Sequence, residues 1–515
     1  MSRRTNAPWF KWPLLALLTL TLLWLVFGIY MAGQALAAMA LLSLGTLALY
    51  VYSSARTLAW RYLFPGVIGI LVFVAFPLFY TLQIGFTNYS ASNLLSFERA
   101  RVYLLDQTTV DEDQTLNFTL HTEGPALRLL LTAPEGSAAN TRFISPPLTL
   151  SKTSNRGPAV AMQVLATAAP TLATALSLRE VLTYRDALLG LRLELPDRRV
   201  LSYAGVREFG VIEPLWQSNA DSSLTQLASG TVYRPNQASG FFENPQHERI
   251  QPGFPVGIGW ANYTRMLFDA DVRGPFISIF IWTLVFSGLT VLFATTLGMT
   301  LAVLLNWEAL RYRTLYRTLL FLPYAVPGFI SILIFKGLFN QNFGEINAIL
   351  DAALGIRPAW FAEPTLAKAM LLLVNTWLGY PYIMVLCTGL IKAIPGDLYE
   401  ASAIAGAKPL TNFFRITVPL IARPLTPLLI SAFAFNFNNF VLISLLTDGR
   451  PDYLNTKLPA GTTDILVSYT YRIAFTDAGA NFGLAAAIST LIFCIVALLS
   501  LANLKLSRIN EPKRT

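Results

Sequence analysis

Charged residues are scarce in this sequence. Asp, Glu, Lys and Arg together make up 13% of its 515 residues, whereas hydrophobic residues make up 54%. Soluble globular domains carry about 25% charged residues, so the composition excludes an ordinary soluble domain. It predicts an all-α polytopic membrane protein.

Cysteine and histidine are also rare, with two of each. Cys387 and Cys494 both fall in apolar runs, where they are expected to pack as small buried side chains. They cannot form a disulfide framework or a cysteine metal site. His121 and His247 lack the spacing of a metal-binding pair, and each is predicted to lie at the surface. We therefore expect no metal site.

Several motifs that would drive chemistry or transport within this chain are missing. The sequence has no Gly-Lys pair, which the Walker A loop needs to hold ATP phosphates. The cores of its apolar runs hold no ionisable residue, and such residues mark ion paths in membranes. We also find no catalytic constellation. These absences argue against a self-contained ATP-driven pump, a proton-coupled carrier and a membrane enzyme, but they leave sodium binding by unwound backbone open.

Long apolar runs dominate what is present. A membrane-spanning helix needs about 20 predominantly apolar residues, and the runs predict eight transmembrane helices. They are Leu14–Tyr30, Ala35–Val51, Leu63–Ile84, Phe276–Leu305, Leu319–Phe335, Ala369–Ile391, Leu425–Leu446 and Leu484–Leu504. The first run is longer than the apolar region of a typical signal peptide and lacks a cleavage site, so we expect a retained anchor.

Positive charge lies beside alternate ends of these runs. The net charge of +9 therefore does not indicate nucleic-acid binding. The basic groups are Arg3, Arg4 and Lys11; Arg56 and Arg61; Arg311, Arg313 and Arg317; Lys392, Lys408, Arg415 and Arg423; and Lys505, Arg508, Lys513 and Arg514. Because basic loops stay in the cytoplasm, the pattern predicts that both termini are cytoplasmic.

Three regions follow from this topology. Residues 1–92 form an N-terminal membrane region with three helices, 93–274 a periplasmic domain, and 275–515 a core with five helices. The periplasmic segment alternates apolar and polar residues in runs such as Leu127–Leu131, Val160–Leu165 and Leu191–Leu195, a pattern typical of strands. We therefore predict an inserted strand-rich domain.

A cytoplasmic loop at 392–424 connects the sixth and seventh predicted helices. Its residues 397–405 have the composition of a short helix, with Asp397 placed as its N-cap and with Gly406 and Pro409 as breakers.

Neutral polar side chains alternate with aromatic rings inside the sixth and seventh helices. They are Asn375, Trp377, Tyr380, Tyr382, Ser431, Phe433, Phe435, Asn436, Phe437, Asn438, Asn439 and Phe440. Amides can bond to sugar hydroxyls and rings can stack on sugar faces, so the pattern suits an uncharged, hydroxyl-rich ligand. The alternative is that these amides join helices by hydrogen bonds. Gly379 and Pro381 would also permit a break in the sixth helix.

The loop at 392–424 resembles the EAA loop of the binding-protein-dependent ABC importers. The resemblance rests on Glu400, Ala401, Ser402, Gly406 and a distant end at Ile416 and Pro419. It implies a type I ABC importer permease fold and a coupling helix that docks on a separate ATPase, where ATP and Mg are bound.

A longer resemblance covers nearly the whole chain and points to maltose transport permeases with a large periplasmic loop. It is carried by Phe86–Ser90, Phe97–Ala100, Leu322–Pro327, Ile330–Asn347, Val374–Tyr382, Phe433–Ile443 and Tyr469–Phe475. It implies a complex with a second permease, two copies of an ATPase subunit and a periplasmic maltose-binding protein in the inner membrane.

The same resemblance implies a substrate site near mid-membrane. The matching positions are Leu378, Gly379, Tyr382, Phe435, Asn436 and Asn439. Two departures bear on it. Ala405 stands where the family's loop has Asp, and Ala432 stands where a sugar-contacting Ser is expected, with Ser431 one residue earlier.

The implied function is import of maltose or maltodextrin by alternating access. The alternatives are the same importer class with another oligosaccharide or sugar derivative, and an ion-coupled sugar carrier. A phosphorylated cargo would favour Arg or Lys in the cavity, and the predicted spans contain neither.

Overall fold

The computed structural model divides into two compact units, which we describe separately. The membrane unit comprises Met1–Phe86, Trp260–Asp477 and Gly483–Thr515, and the strand-rich unit comprises Thr87–Gly259 and Ala478–Phe482. The structure describes residues 11–111, 114–133, 141–149, 159–165, 172–307, 309–454, 456, 458–476 and 480–509. The predicted basic residues Arg3, Arg4, Lys513 and Arg514 lie outside these ranges.

The membrane unit is built mainly from helices, and the strand-rich unit also contains short helices. In chain order they are α1 Lys11–Met31, α2 Ala35–Ser53, α3 Trp60–Ile70, α4 Phe76–Gly85, α5 Phe97–Leu105, α6 Leu178–Thr183, α7 Arg185–Leu189, α8 Ala261–Phe268, α9 Ala270–Asn306, α10 Arg313–Ala325, α11 Gly328–Leu338, α12 Glu345–Leu354, α13 Pro364–Lys392, α14 Asp397–Ile404, α15 Pro409–Asn412, α16 Val418–Phe437, α17 Phe440–Leu446, α18 Leu466–Phe475 and α19 Phe482–Ile509. One-turn π segments join α3 to α4 and α15 to α16.

Seven spans in the described part of the chain are long and apolar enough to cross a membrane, and one bent helix pair makes an eighth. The predicted class, a helical membrane protein with an inserted strand-rich domain, is confirmed. The fifth run is not one straight helix, because α10 and α11 meet at 90°. Val326 is extended since the ring of Pro327 disfavours helical geometry in the residue before it.

Two other details of the spans differ from the sequence prediction. The permitted break at Gly379 and Pro381 is absent, since α13 is helical throughout. The seventh span runs from Pro409 to Phe437 instead of Leu425 to Leu446. The helix is interrupted at Asn438 and Asn439 before α17 begins.

Close packing between α9 and α13 explains why Pro381 does not interrupt its helix. A Cβ added at Gly298 on α9 would lie 2.9 Å from the Tyr380 carbonyl oxygen and from the Met384 nitrogen of α13. The two backbones therefore approach as closely as glycine allows, and Pro381 and Met384 are buried in this contact. Tertiary packing holds α13 helical through its proline.

Fifteen strands are described in the other unit. They are β1 Thr108–Val110, β2 Leu116–Glu123, β3 Ala126–Thr132, β4 Phe143–Ile144, β5 Val160–Ala161, β6 Gln163–Val164, β7 Arg192–Glu194, β8 Val200–Gly205, β9 Glu208–Gly210, β10 Ile212–Pro214, β11 Trp216–Ser218, β12 Leu224–Gln226, β13 Val232–Asn236, β14 Phe241–Glu243 and β15 Arg249–Ile250. An eight-stranded sheet has the order β5-β7-β8-β9-β2-β3-β4-β6, and a five-stranded sheet runs β11 to β15.

The β2–β3 hairpin shows how the alternating pattern builds this unit. Leu120 pairs with Leu129, and Leu127, Leu129 and Leu131 are buried on one face of β3. The predicted strands are confirmed here. His121, predicted at the surface, is instead buried, because β2 carries it beside Thr119 and the Ala173 carbonyl, which lie 2.9 and 2.7 Å from its ring nitrogens.

Of the two cysteines, only one packs as predicted. Cys387 is buried in the α9–α13–α16 core, but Cys494 is exposed on α19. An apolar run does not reveal which face of a membrane helix meets protein.

Candidate functional site

A cavity of about 680 Å³ opens inside the membrane unit. Its wall is built from α9, the α10–α11 bend, α13, α16 and the first turn of α17. The lining residues are Thr290, Val291, Ala294, Thr295, Pro323, Tyr324, Val326, Pro327, Gly328, Phe329, Ile332, Asn375, Leu378, Gly379, Tyr382, Ile383, Leu428, Ser431, Ala432, Phe435, Asn436, Asn439, Val441 and Leu442. Ligand sites typically enclose about 300–1,000 Å³, so its size suits a small molecule.

All six positions that the resemblance marked as substrate contacts line this one cavity. Leu378, Gly379 and Tyr382 come from successive turns of α13. Phe435 and Asn436 lie in the last turn of α16, and Asn439 is the N-cap of α17. On α13, helical spacings of three and four residues put side chains on one face, whereas a non-helical turn at Asn438 brings Asn439 beside the end of α16.

The amides in the wall form a hydrogen-bonded network. Asn375 Nδ2 donates to Asn436 Oδ1 at 2.7 Å and to Thr290 Oγ1 at 3.2 Å, while Asn439 Nδ2 donates to Asn375 Oδ1 at 3.3 Å. Asn436 Nδ2 also donates to the Ala432 carbonyl at 2.8 Å. Asn375 thereby has its amide donors engaged, whereas Asn436 keeps one N–H for a further acceptor. The interhelical role and the cavity role coexist in one cluster.

Replacing Asn375 with leucine is expected to lower the thermal unfolding midpoint of the detergent-solubilised chain by a few degrees. Hydrogen bonds between membrane helices contribute about 0.6 kcal/mol each and at most about 1.7 kcal/mol, and three are lost. The neighbouring Thr376→Val variant is the control, because Thr376 Oγ1 has no hydrogen-bond partner in the described structure. Equal midpoints for the two variants would contradict a stabilising role for the network.

Four aromatic rings are among the residues that line the cavity. Two of them, Phe435 and Tyr382, are 70% and 42% exposed. Tyr324 and Phe329, from either side of the α10–α11 bend, also face it. Sequence reasoning missed these two, although the Pro323–Pro327 pair signals a break that could turn them inward.

Other members of the predicted polar and aromatic pattern lie away from the cavity. Tyr380 OH donates to the Leu320 carbonyl at 2.9 Å, and Asn438 Nδ2 donates to the Ala434 carbonyl at 3.2 Å. Trp377 packs against Phe335, Phe437 against Phe433, and Phe440 against Tyr471. For these residues, packing is the observed role.

Ser431 and Ala432 both lie on the cavity wall. The Ser431 hydroxyl donates to the Pro427 carbonyl at 3.0 Å and accepts from Asn503 Nδ2 at 3.3 Å. Its donor is therefore used by its own helix, as is common for serine in membrane helices.

None of the described lining residues carries a charge. The described residues also contain no group of three or more His, Cys, Asp or Glu side chains placed to hold a metal ion. The cavity chemistry is therefore that of neutral amides, hydroxyls and rings.

The helix α14 occupies the loop that resembles the EAA loop. Gly406 adopts φ of +74° and ends the helix, a left-handed conformation that favours glycine. Ser402 Oγ donates to Asn412 Oδ1 at 2.5 Å, which ties the helix to α15. Asp397 does not cap the helix as predicted, because it is the first helical residue and Gly396 occupies the cap position. Its charge still suits the helix N-terminus.

One side of α14 is left uncovered. Glu400, Ala401 and Ile404 are exposed, and Ile404 is 89% exposed. Pro419, at the distant end of the motif, lies in the first turn of α16 and is also exposed. The loop therefore presents a small helical surface of mixed charge and apolarity.

Comparison with known proteins tests the resemblances directly. Family models match as the MalF N-terminal transmembrane region over residues 9–56, the maltose transport system permease protein MalF P2 domain over 95–259, and the binding-protein-dependent transport system inner membrane component over 294–508. The matches follow one another along the chain, and the predicted resemblances to this class are confirmed.

Alignments with curated relatives extend over nearly the full length of this chain and of each relative. The maltose/maltodextrin transport system permease protein MalF of Yersinia pestis is 48% identical over 99% of this chain and 97% of its own. That of Escherichia coli strain K12 is 48% identical over 97% and 96%. Among solved structures, a bacterial alginate ABC transporter chain is 22% identical with a TM-score of 0.42, over 49% of this chain and 83% of its own.

Membership of this family implies an ATPase partner and a binding-protein partner, as the sequence predicted. It also favours an importer subunit over the ion-coupled carrier considered above. The chain belongs to the MalF family of maltose/maltodextrin permeases, non-catalytic multi-pass subunits of ABC importers in the inner membrane.

Proposed function

We propose that this chain forms part of the translocation path for maltose and maltodextrin. It works in a complex with a second permease, two copies of an ATPase subunit and a periplasmic maltose-binding protein. The observation that carries this proposal is the neutral cavity, in which exposed rings stand beside a network of amides. Such a surface suits a ligand with many hydroxyls and no charge.

The roles of the cavity residues follow from their exposure and bonding. Phe435 and Tyr382 offer ring faces for stacking on the apolar faces of a sugar. Asn436 and Asn439 orient sugar hydroxyls through amide groups held by Asn375. Leu378 and Gly379 form the α13 wall, where the small Gly379 leaves room for the ligand.

A phosphorylated sugar is a poorer candidate. Phosphate is recognised by Arg and Lys, which pair with its oxygens, and the described lining contains neither. Burying a doubly charged group in this apolar setting without such a partner would be costly. A neutral oligosaccharide fits the chemistry of the wall.

Coupling to ATP is assigned to the loop at 392–424. The helix α14 carries the exposed Glu400 and Ala401 and the partly buried Ser402, with Gly406 at its end, and it docks on the ATPase subunit, which binds ATP and Mg. Closure of the ATPase around this helix turns the spans outward, and the binding protein then delivers sugar to the cavity. Hydrolysis resets the path, giving alternating access.

The topology that this mechanism needs places both termini in the cytoplasm and residues 93–274 in the periplasm, between membrane regions 1–92 and 275–515. The distribution of positive charge supports it, because α10 begins at Arg313, α13 ends at Lys392, and α14 and α15 flank Lys408. Basic residues at the ends of spans mark the cytoplasmic side.

Purification of the tagged chain from its own membrane tests the proposal. We expect an ATPase and a second permease in a ratio of two to one to accompany it. Vesicles holding this complex and supplied with the binding protein should take up radiolabelled maltose only when ATP is inside. Maltose uptake by the chain alone, driven by an ion gradient, would overturn the proposal. Uptake of glycerol phosphate but not maltose would overturn its cargo.

A further inference from the structure

A buried ion pair lies beyond the end of α17. The Asp464 side chain is fully buried, and the Arg472 side chain is only 11% exposed. Arg472 Nη1 donates to Asp464 Oδ2 at 2.8 Å, and Nη2 donates to Asp452 Oδ1 at 2.6 Å. Exposed ion pairs contribute little, but a buried pair fixes geometry because breaking it strands a charge away from water.

Every oxygen of the Asp464 carboxylate is occupied. Oδ2 also accepts from the Gly461 backbone N–H at 2.8 Å, and Oδ1 accepts from Ser468 Oγ at 2.7 Å. Burial raises the pKa of Asp464 to about 6, and the charge of Arg472 opposes that rise. The carboxylate therefore joins the loop before α18 to the side of α18 itself.

This pair is connected to the last turn of α17 through the adjacent residue. Thr463 Oγ1 donates to the Arg450 carbonyl at 2.7 Å and lies 2.9 Å from Thr447 Oγ1, and Thr447 is the residue that ends α17. We call Thr463, Asp464 and Arg472 the loop clamp.

Two glycines allow the loop clamp to pack against the chain that follows α17. Gly449 has φ of +77°, and a Cβ there would lie 2.2 Å from Asp464 Oδ1. A Cβ at Gly461 would lie 1.8 Å from the Gly449 carbonyl oxygen. Two backbone segments and the carboxylate are thus packed as tightly as atoms allow, a condition in which small shifts are transmitted.

The other end of α17 forms the cavity wall. Asn439, the N-cap, accepts from Leu442 N–H and donates to Asn375, while Val441 and Leu442 line the cavity. The helix has only seven residues, which is about 10 Å at 1.5 Å per residue. A helix this short has little stability of its own, so tertiary contacts hold it. Leu442, Ile443 and Leu446 are buried in a core shared with α9, α11 and α13, and the loop clamp adds the contacts at its C-terminal end.

The loop clamp is itself anchored to the long helix α9. Leu466 N–H, at the start of α18, donates to Thr283 Oγ1 at 3.0 Å, and Thr290 of the amide network lies two turns further along α9. Hydrogen bonds therefore connect both ends of α17 to α9, at Thr283 through the start of α18 and at Thr290 through Asn375.

We propose that Asp464 and Arg472 are positioning residues of the translocation cavity: by fixing the exit of α17 they set where Asn439 and Leu442 stand in the wall. The proposal rests on the proposed function, since it assigns these two residues to the sugar cavity without direct contact. Nothing in the amide network itself touches them, so their effect passes through α17.

Retention of trapped maltose tests this inference. The assembled complex is locked with a non-hydrolysable ATP analogue and maltose-loaded binding protein, and release of radiolabelled maltose is followed after dilution. Asp464→Asn should release maltose at least tenfold faster than the parent, with nucleotide binding unchanged. Hydrogen exchange of residues 440–446 should rise in the same variant while exchange within α9 stays the same.

Two variants separate positioning from a general loss of structure. Asp464→Asn with Arg472→Gln removes both charges and keeps an amide-to-amide contact, and it should recover most of the retention. Asp351→Asn breaks the exposed 2.7 Å pair with Arg357 elsewhere in the membrane unit and should behave like the parent.

The outcomes are distinct. If the parent complex fails to retain maltose, the proposed function is wrong. If the parent and Asp464→Asn retain maltose equally, only the positioning role is overturned. If Asp464→Asn does not assemble, Ser468→Ala and Thr463→Val each remove hydroxyl bonds of the same cluster without removing charge. Unchanged retention and exchange in both would overturn the proposal, and a two- to threefold faster release would support it.

Discussion

Glu400→Lys is expected to leave the complex assembled in the membrane and to abolish its sugar-dependent ATP hydrolysis. Glu400 is exposed on α14, so the change costs the fold only the unfavourable contact of a cation with the helix N-terminus, about 0.3–1 kcal/mol. Docking on the ATPase suffers far more, because an unpaired charge in an interface costs about 2–5 kcal/mol. That corresponds to a fall of about 30-fold or more in coupled hydrolysis. The measurement is ATPase activity of reconstituted complex with maltose and binding protein.

Glu345→Lys provides the matched control for this variant. Glu345 is also exposed in the first turn of a short helix, α12, in a different loop of the membrane unit. The same charge reversal there should leave coupling intact. If Glu400→Lys hydrolysed ATP in response to sugar as well as the control does, α14 would not be the coupling helix.

Ala405 bears on the same surface. Ala405 is the exposed C-cap residue of α14, so its difference from the family's Asp alters the surface that we propose docks on the ATPase and leaves the left-handed turn at Gly406 in place. The fold of the loop is thus independent of that departure.

The amount of the fold visible in the sequence differs from one element to another. Apolar runs locate the spans because a helix must satisfy its backbone within lipid. They do not show the 90° bend between α10 and α11, since the run Leu319–Phe335 is apolar on both sides of it. The signal is local: Val326 precedes Pro327, and proline chemistry outweighs apolarity there.

The cavity is predictable in part for a similar reason. Helical spacing by itself puts Leu378 on one face with Tyr382, and Asn436 close to Asn439. The partners that complete the wall come from distant segments: Thr290 lies 85 residues before Asn375, and no local pattern links them. Such pairings are set by tertiary packing.

The ion pair of Asp464 and Arg472 is invisible in the sequence for the opposite reason. Charged residues between two spans suggest a solvated loop, and the segment 447–481 carries several of them. Two of these, Lys457 and Asp477, lie outside the described residues. The burial of Asp464 depends on Gly449 and Gly461 closing around it. That arrangement requires two glycines twelve residues apart to meet, which sequence spacing alone does not reveal.

Phe435→Ala is expected to lower maltose uptake by the reconstituted complex by about 10- to 100-fold. The ring lines the cavity and is 70% exposed, beside the rings of Tyr324, Phe329 and Tyr382. Covering a phenylalanine side chain contributes about 1.5–3 kcal/mol, and each 1.4 kcal/mol changes an equilibrium tenfold. Because the chain's own side chains leave most of the ring uncovered, its removal deletes ligand contact and leaves little cavity in the protein core. Assembly and thermal stability should therefore be unchanged.

Phe435→Leu separates stacking from simple apolar contact. Leucine restores most of the apolar area without a flat face, so a ring that stacks on sugar predicts uptake well below the parent in both variants, with leucine above alanine. Asn438→Ala is the control outside the cavity, because among the described residues the Asn438 side chain hydrogen-bonds only to the Ala434 carbonyl of α16. Uptake by Phe435→Ala equal to that of Asn438→Ala would remove Phe435 from the substrate site. If Phe435→Leu took up maltose at the parent rate, Phe435 would stay assigned to the substrate site, but its contribution would be apolar contact and not stacking. Selection among sugars would then depend on Asn436 and Asn439.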